Sequence, residues 1–256
     1  MPFQLPGQEE KRDYVHEQFE RIAQRYDLTN DAISLGMHRS WKRLAVGMLL
    51  AQSERNGNGR ANGSGGRYLD VCCGTGDLAI SIARRLGKGG TVVGLDFSAA
   101  MLSVAKARAV RLQTNGIVAA DLEWFEGDAL DLPFDSHSFD GAIISFGLRN
   151  LTDLERGLAE MARVVKPGGA VINLDLGKPQ GVVFPSAFRL FFRYIVPLIG
   201  QVLQNDRKAY TYLPESMNTY PSPDGISSLF ESVGLADVTH IPLSGGSVAL
   251  HKGTVA

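Results

Sequence analysis

Cysteine is nearly missing from this chain. Only two occur among its 256 residues, and Cys72 and Cys73 are adjacent. Adjacent thiols offer neither a disulfide framework nor the ligand spacing of a zinc site, so no metal is expected and the pair reads as small residues in a tight turn. An excess of charge of either sign is lacking too: 26 Lys and Arg against 27 Asp and Glu leave a formal net charge of −1. Such a balance presents no electrostatic footprint for DNA or RNA, and nucleic acid is not expected as a partner. Long uninterrupted apolar runs are absent. The stretch 181–203 comes nearest, but Pro185, Arg189, Arg193 and Pro197 break it. That pattern argues against a membrane span and leaves an amphipathic lid or surface helix, or an ordinary buried helix pair. Residues 1–10 hold no apolar core of a signal peptide, so the expected compartment is the cytoplasm.

What the chain does have is a glycine turn between a strand and a helix. Arg67-Tyr-Leu-Asp-Val reads as a buried strand, Leu78–Leu86 as the helix after it, and Gly74-Thr75-Gly76 lies between. Glycine has no Cβ, so the turn can be tight and a ligand can approach its backbone. The next strand, Thr91–Leu95, runs into Asp96 and Phe97, twenty residues after Gly76, where a carboxylate can accept hydrogen bonds from a ribose diol. Gly74-Thr-Gly-Asp-Leu-Ala79 by itself also fits a dinucleotide loop. A pyrophosphate seated on loop amides, however, disfavours acids beside it. Asp70 precedes this loop and Asp77 follows it, a setting for a cationic sulfonium and ammonium, so the expected cofactor is S-adenosylmethionine.

The remaining elements continue in order. Leu122–Glu126 is strand-like and leads to Gly127-Asp128-Ala129, where a carboxylate and a backbone amide can read an adenine edge. Phe139–Phe146 is a continuous apolar strand carrying Ser145 at its end, as expected when both faces of a sheet are covered. Leu154–Val165 has helical spacing, Lys166-Pro-Gly-Gly169 is a turn, and Ala170–Leu176 is another buried strand. This order resembles the class I S-adenosylmethionine-dependent methyltransferase fold: an α/β, Rossmann-like, doubly wound and mostly parallel sheet, here with N-terminal helices and a helical lid insertion.

Four further motifs narrow the resemblance. They are Phe19-Glu-Arg-Ile-Ala-Gln-Arg-Tyr26-Asp27-Leu-Thr-Asn30-Asp31 running into Ser34-Leu-Gly-Met-His38-Arg39-Ser-Trp41-Lys42; Ser145-Phe-Gly-Leu-Arg149-Asn150; Tyr212-Leu-Pro-Glu-Ser216; and Gly245-Gly-Ser-Val-Ala-Leu-His251. Together they resemble the menaquinone/ubiquinone biosynthesis C-methyltransferases over roughly Lys11 to Gly253, with the Asp-Val-Cys-Cys-Gly-Thr-Gly wording nearer the menaquinone branch. The chain departs from that pattern at Cys73, and at Tyr220, where the family often has His. The resemblance implies C-methylation of a prenylated quinol ring, demethylmenaquinol to menaquinol, with the ubiquinone-pathway or a dual-specificity reaction as alternatives. It also implies a substrate-activating role for Arg149 and Asn150.

A strand-end position points both residues at the pocket. A guanidinium stays protonated, so Arg149 stabilises a developing phenolate rather than acting as a base, while Asn150 orients the ring oxygen. The rival reading for Arg149 is a surface ion pair with Asp153 at helix spacing. His38 is either the acceptor of the ring proton or a structural histidine. Tyr26 and its neighbours belong to a segment that closes over cofactor and substrate, with Trp41 as helix packing. His240 and His251 have no evident partner.

Organisation is expected to be one domain: an N-terminal helical cap (11–50), a flexible Gly- and Asn-rich loop (53–66), the cofactor core (67–176), a substrate lid (177–220) and a C-terminal helix with strands (221–256). The partners expected are the quinol and a transient contact with a membrane surface, peripheral at the inner face; a homodimer is left open. Two readings outside this class also stand at this point: a non-catalytic S-adenosylmethionine-binding module and an NAD-dependent oxidoreductase, the latter disfavoured by Asp70.

Overall fold

Residue patterns of period two build the centre of the molecule. The computed structural model describes residues 8–55, 65–179, 181, 184–204 and 219–256. Within them, strands β1 (Gly66–Val71), β2 (Gly90–Asp96), β3 (Asp121–Glu126), β4 (Phe139–Ser145), β5 (Val165–Leu176), β6 (Leu235–Leu243) and β7 (Val248–Val255) form one sheet in the order β3-β2-β1-β4-β5-β7-β6. The first five are mutually parallel; β7 pairs antiparallel with both β5 and β6. Successive side chains face opposite layers. Tyr68, Val92, Ile143 and Ile172 join a core with α3 (His38–Arg55) and α4 (Asp77–Leu86). Leu69, Val93, Ile144 and Val171 join a second core with α6 (Leu154–Val164) and α9 (Pro223–Ser232). Both layers are needed because a parallel strand such as β4, buried along almost its whole length, has no solvated face.

Helix α5 (Ala99–Thr114) follows β2, and α1 (Gln8–Ile22) docks on its start: Glu20 accepts from Ser98 Oγ at 2.7 Å and from Ala100 N–H at 3.1 Å. A carboxylate at a helix N-terminus satisfies otherwise orphaned amides. A 3-10 turn (Ala23–Arg25) then leads into α2 (Tyr26–Ser34). Beside this cap, with α8 packed on α2, lies the segment expected as a lid: α7 (Phe184–Leu190), a π-helical turn (Phe191–Ile195) and α8 (Val196–Gln204). Met101 of α5 packs with Ile22, Ala23, Phe192 and Val196, so cap, core and lid share a third apolar cluster.

Several boundaries differ from the sequence reading. Helix α3 continues to Arg55, and Ser53, expected in the loop, is 1% exposed and donates to the Asp140 carbonyl at 3.3 Å. Of that loop, Gly66 already opens β1 and 56–64 lies outside the described residues, as do Tyr212–Ser216 and part of the lid. Strand β5 begins at Val165 because Val165 pairs with Phe139 and Ala170 with Gly141; the Lys166–Gly169 turn bulges between those pairs, with Gly168 at φ 79°. The histidines left without partners have them: His240 Nδ1 meets Ser227 Oγ at 3.1 Å, and His251 Nε2 meets the Pro223 carbonyl at 3.0 Å. Tyr220 is core, its hydroxyl accepting from Asn173 at 3.3 Å.

Candidate active site

The sheet order reverses between β1 and β4, and the loops leaving their carboxyl ends part to opposite sides, the place where open α/β sheets bind ligands. Two adjoining cavities occupy it, of about 640 and 80 Å3. Tyr26, Cys72, Gly74, Ser145 and Phe146 line both and form the partition between them.

The smaller cavity gathers Asp96, Phe97, Asp128, Ala129 and Asn150. The Asp96 carboxylate accepts from Gly74 N–H at 2.7 Å and from Ser98 N–H at 3.0 Å, clamping the glycine loop to the start of α5. Burial pushes its carboxyl up to about 6 against those two bonds. Asp128 accepts from Leu130 N–H at 2.9 Å and pairs with Arg12 at 3.3 Å. The Phe97 ring is held edge-on by His16 and Phe19.

The larger cavity has an acidic end and an apolar one. Asp70, 1% exposed, accepts from Ala79 N–H at 2.9 Å, yet burial pushes its carboxyl up to about 8. Asp77 does not add to that field as the sequence suggested. Lys42 reaches it at 2.8 Å and Arg108 at 3.6 Å, and although burial works the other way, these cations hold its carboxyl below the usual range. The charge of Asp77 is thus met by two cations, while the buried Asp70 carboxyl keeps its proton up to about 8. Gly74 has nothing nearer than Tyr26, at 4.0 Å, to a would-be Cβ, whereas a Cβ on Gly76 would meet the Trp124 ring at 2.5 Å. Gly76 lines neither cavity; its missing side chain makes room for Trp124 and Ala105, a packing role that the motif alone did not reveal.

The cap is latched over this loop. Thr75 Oγ1 donates to Asp27 at 2.7 Å, and Arg108 donates to Asp27 at 2.7 Å and to the Thr75 carbonyl at 3.0 Å. From the far end of the cap, Lys11 Nζ donates to the carbonyls of Arg149 and Leu151, at 3.1 and 2.7 Å.

Arg149 and Asn150 lie in a 3-10 turn after β4, but they face different cavities. Arg149 borders the larger one, donating to Asp175 and to the Phe146 carbonyl at 2.7 and 2.6 Å. The rival reading, a pair with Asp153, is not seen among the described residues: Asp153 caps α6 by accepting from Arg156 N–H at 2.9 Å. Asn150 donates to the Phe146 carbonyl at 3.4 Å and borders the smaller cavity. Phe146 itself sits at φ 56°, its ring 5.8 Å from the Arg149 guanidinium and 6.4 Å from Trp41.

His38 faces the larger cavity, 7% exposed. Ser34 Oγ lies 2.7 Å from the Asn30 carbonyl and 2.7 Å from His38 Nδ1. A carbonyl only accepts, so the hydroxyl proton points to Asn30 and Nδ1–H must donate to Ser34. The neutral ring then keeps its lone pair on Nε2, 3.7 Å from an Asp31 oxygen. Burial, then Lys42, depresses its pKa below the ordinary histidine value.

Sequence reasoning missed three contributors. Trp41 is cavity wall as well as packing, its indole donating to Ser244 Oγ at 3.1 Å. Gly245 and Ser247, from the Gly-Gly-Ser motif that received no role, and the preceding Ser244 line the same wall. Asp175 near the end of β5 was equally reachable by the strand-end rule.

Comparison with known proteins agrees with this geometry. The chain matches the model of the ubiE/COQ5 methyltransferase family over residues 7–255. It is 39% identical over 246 residues, 96% of this chain and 97% of each relative, to proteins called demethylmenaquinone methyltransferase from Bacillus cereus (strain B4264) and Bacillus anthracis (strain CDC 684 / NRRL 3495). Its fold is similar to that of magnesium protoporphyrin IX methyltransferase from Synechocystis PCC 6803 with bound SAH, at TM-score 0.61 and 15% identity over 96% of this chain and 100% of that one. A SAM-dependent methyltransferase from Thermotoga maritima aligns at TM-score 0.58 and 19% identity over 94% and 99%. The fold is that of the class I methyltransferases.

Proposed function

Since the chain belongs to the ubiE/COQ5 methyltransferase family, we propose that it uses S-adenosylmethionine to methylate a ring carbon of a prenylated quinol, converting demethylmenaquinol to menaquinol. The observation that carries this reading is a largely apolar 640 Å3 cavity joined to the cofactor cleft, with a buried arginine and a buried histidine on its wall. The residues fit the cofactor. Among the described residues Ser145 Oγ is buried at the partition without a hydrogen-bond partner, Gly74 leaves its approach open, and the Asp70 carboxyl is a site that a cation would stabilise.

Asp96, Phe97, Asp128 and Ala129 would hold the nucleoside part, and Asp70, Gly74, Thr75 and Tyr26 the amino-acid part. Bound there, the cofactor supplies an electrophilic methyl group. Arg149, oriented by Asp175, stabilises the phenolate that makes the neighbouring ring carbon nucleophilic. Asn150, on the cofactor side of the partition, steadies the Phe146 carbonyl at the junction of the two cavities instead of reaching the ring oxygen. His38, with its Nε2 lone pair free, takes the ring proton, and the nearby Asp31 carboxylate favours the imidazolium. Trp41 and the lid phenylalanines exclude water. The quinol tail is lipid-soluble, so collection of substrate at the inner membrane surface, with the lid against it, accompanies this activity.

The test is methyl transfer to prenylated naphthoquinol against prenylated benzoquinol, with calorimetry of cofactor binding. Preference for naphthoquinol supports the reading, and comparable rates on both rings indicate dual specificity. Asp96→Ala lowers cofactor affinity about 10- to 100-fold, since a bond to a charged acceptor contributes about 1.5–3 kcal/mol. Tight cofactor binding without turnover on either ring overturns it.

A further inference from the structure

The turn between α2 and α3 exposes apolar side chains at a conformational cost. Leu35 caps α2 at φ 50°, ψ 35°, the left-handed region where Gly or Asn is the usual residue. It is also 79% exposed, more than any other large hydrophobic among the described residues. A leucine that is both strained and solvated serves neither local backbone nor core. Met37, 44% exposed, follows it, and Leu44, 42% exposed, lies seven residues on. Leu35 and Met37 border the mouth of the larger cavity.

The other side of the mouth has the same character. Phe188, Phe191 and Phe192 turn inward to the cavity, while Leu190, Tyr194, Ile195 and Leu198 stand outward at 62%, 59%, 43% and 54% exposure. Helix α2 packs on α8, so the two rims are neighbours. Exposed Arg43 and Arg193 accompany them, while Arg39 is paired with Asp31. Single exposed apolar residues are commonplace; a contiguous rim of them around an apolar cavity, with cations beside it, marks an interaction surface.

We propose that this rim is a bilayer-docking surface, in which the Leu35–Met37 turn enters the acyl region of an anionic membrane and the larger cavity opens directly into lipid. The arginines complement anionic headgroups, and the outward residues of the lid lie beside the turn in the interface. A water-soluble partner would gain nothing from a cavity mouth whose own lip is apolar. The inference rests on the quinol reading only for its purpose; docking itself needs no substrate.

The test uses the full chain and sedimentation with vesicles of phosphatidylcholine alone or mixed with phosphatidylglycerol. Binding to the mixed vesicles is expected to be about tenfold tighter or more, and weakened by salt. Leu35→Asn with Met37→Gln should lower it about tenfold or more at an unchanged or higher melting temperature, since Asn suits the left-handed cap. If that variant melts early, Arg43→Gln with Leu44→Gln on α3 gives the same loss. Vesicle binding that both variants retain, no binding by the parent, or self-association of the parent that the variants abolish, each overturns the proposal. Loss of docking in the variants when no quinol is methylated supports it and removes only the quinol reading.

Discussion

The Arg149 guanidinium lies 2.7 Å from the Asp175 carboxylate, and their side chains are 8% and 1% exposed. Asp175 also accepts from the backbone N–H of Arg149 at 3.2 Å and of Leu176 at 2.8 Å, so it sets both the turn and the direction of the side chain. A buried ion pair adds little net stability, but losing one partner strands the other's charge. Asp175→Ala is therefore expected to cost about 3–5 kcal/mol in denaturant unfolding. Arg149→Lys keeps the charge and loses the planar fork; turnover should fall about 10²-fold with cofactor affinity unchanged. Undiminished turnover in Arg149→Lys would reduce the residue to a structural role.

His38→Gln removes the proposed proton acceptor, and kcat should drop about 10²- to 10⁴-fold. Because burial and Lys42 depress the His38 pKa, the parent's acid limb should lie below the ordinary histidine range, the base form persisting to lower pH. The variant should lack that limb. A variant that is slow but keeps the limb would place the titrating base elsewhere.

Asp70 links pH to both folding and binding. Unfolded, a carboxyl of this type titrates near 3.8; folded, Asp70 is pushed up to about 8. The folded form holds a proton that the unfolded form releases, so stability present below about 4 is lost as pH rises toward 8. A bound cation favours the carboxylate. Cofactor affinity should accordingly rise across that window with a proton released, measurable by calorimetry in buffers of differing ionisation enthalpy. Asp70→Asn should flatten the stability profile and abolish the release.

The two loop glycines should fail differently. Gly76→Ala sets a Cβ 2.5 Å from the Trp124 ring at φ 78°, and the melting temperature should fall sharply. Gly74→Ala meets nothing closer than 4.0 Å, so only the left-handed penalty, about 1–2 kcal/mol, weighs on folding while cofactor affinity falls. Trp124→Leu should recover part of the Gly76→Ala loss and none of the Gly74→Ala loss. Equal melting of the two single variants would contradict the assignment.

The doubly wound sheet was legible from its alternation of apolar strands and helices, and the placing of Asp70, Gly74 and Asp96 at strand ends and the turn between them from spacing along consecutive elements. Contacts between units were not. Helix spacing nominated Asp153 for Arg149, but the partner came from a neighbouring strand. Asp77 read as free charge until Lys42 and Arg108, from α3 and α5, were brought to it by tertiary packing. Gly76 read as ligand contact because its constraint, Trp124, sits on β3. The Asn150 position, facing the smaller cavity, depended on a 3-10 turn that no periodicity announces.

The joined hydrogen bonds of Asp27, Thr75 and Arg108 fasten the cap across the glycine loop. Breaking any one of these contacts loosens the hold of the cap on the loop. With side chains 29% and 45% exposed, the Arg108–Asp27 pair is within reach of screening ions. Rising salt is therefore expected to slacken the cap over the glycine turn, while the buried Arg149–Asp175 pair stays shielded from it.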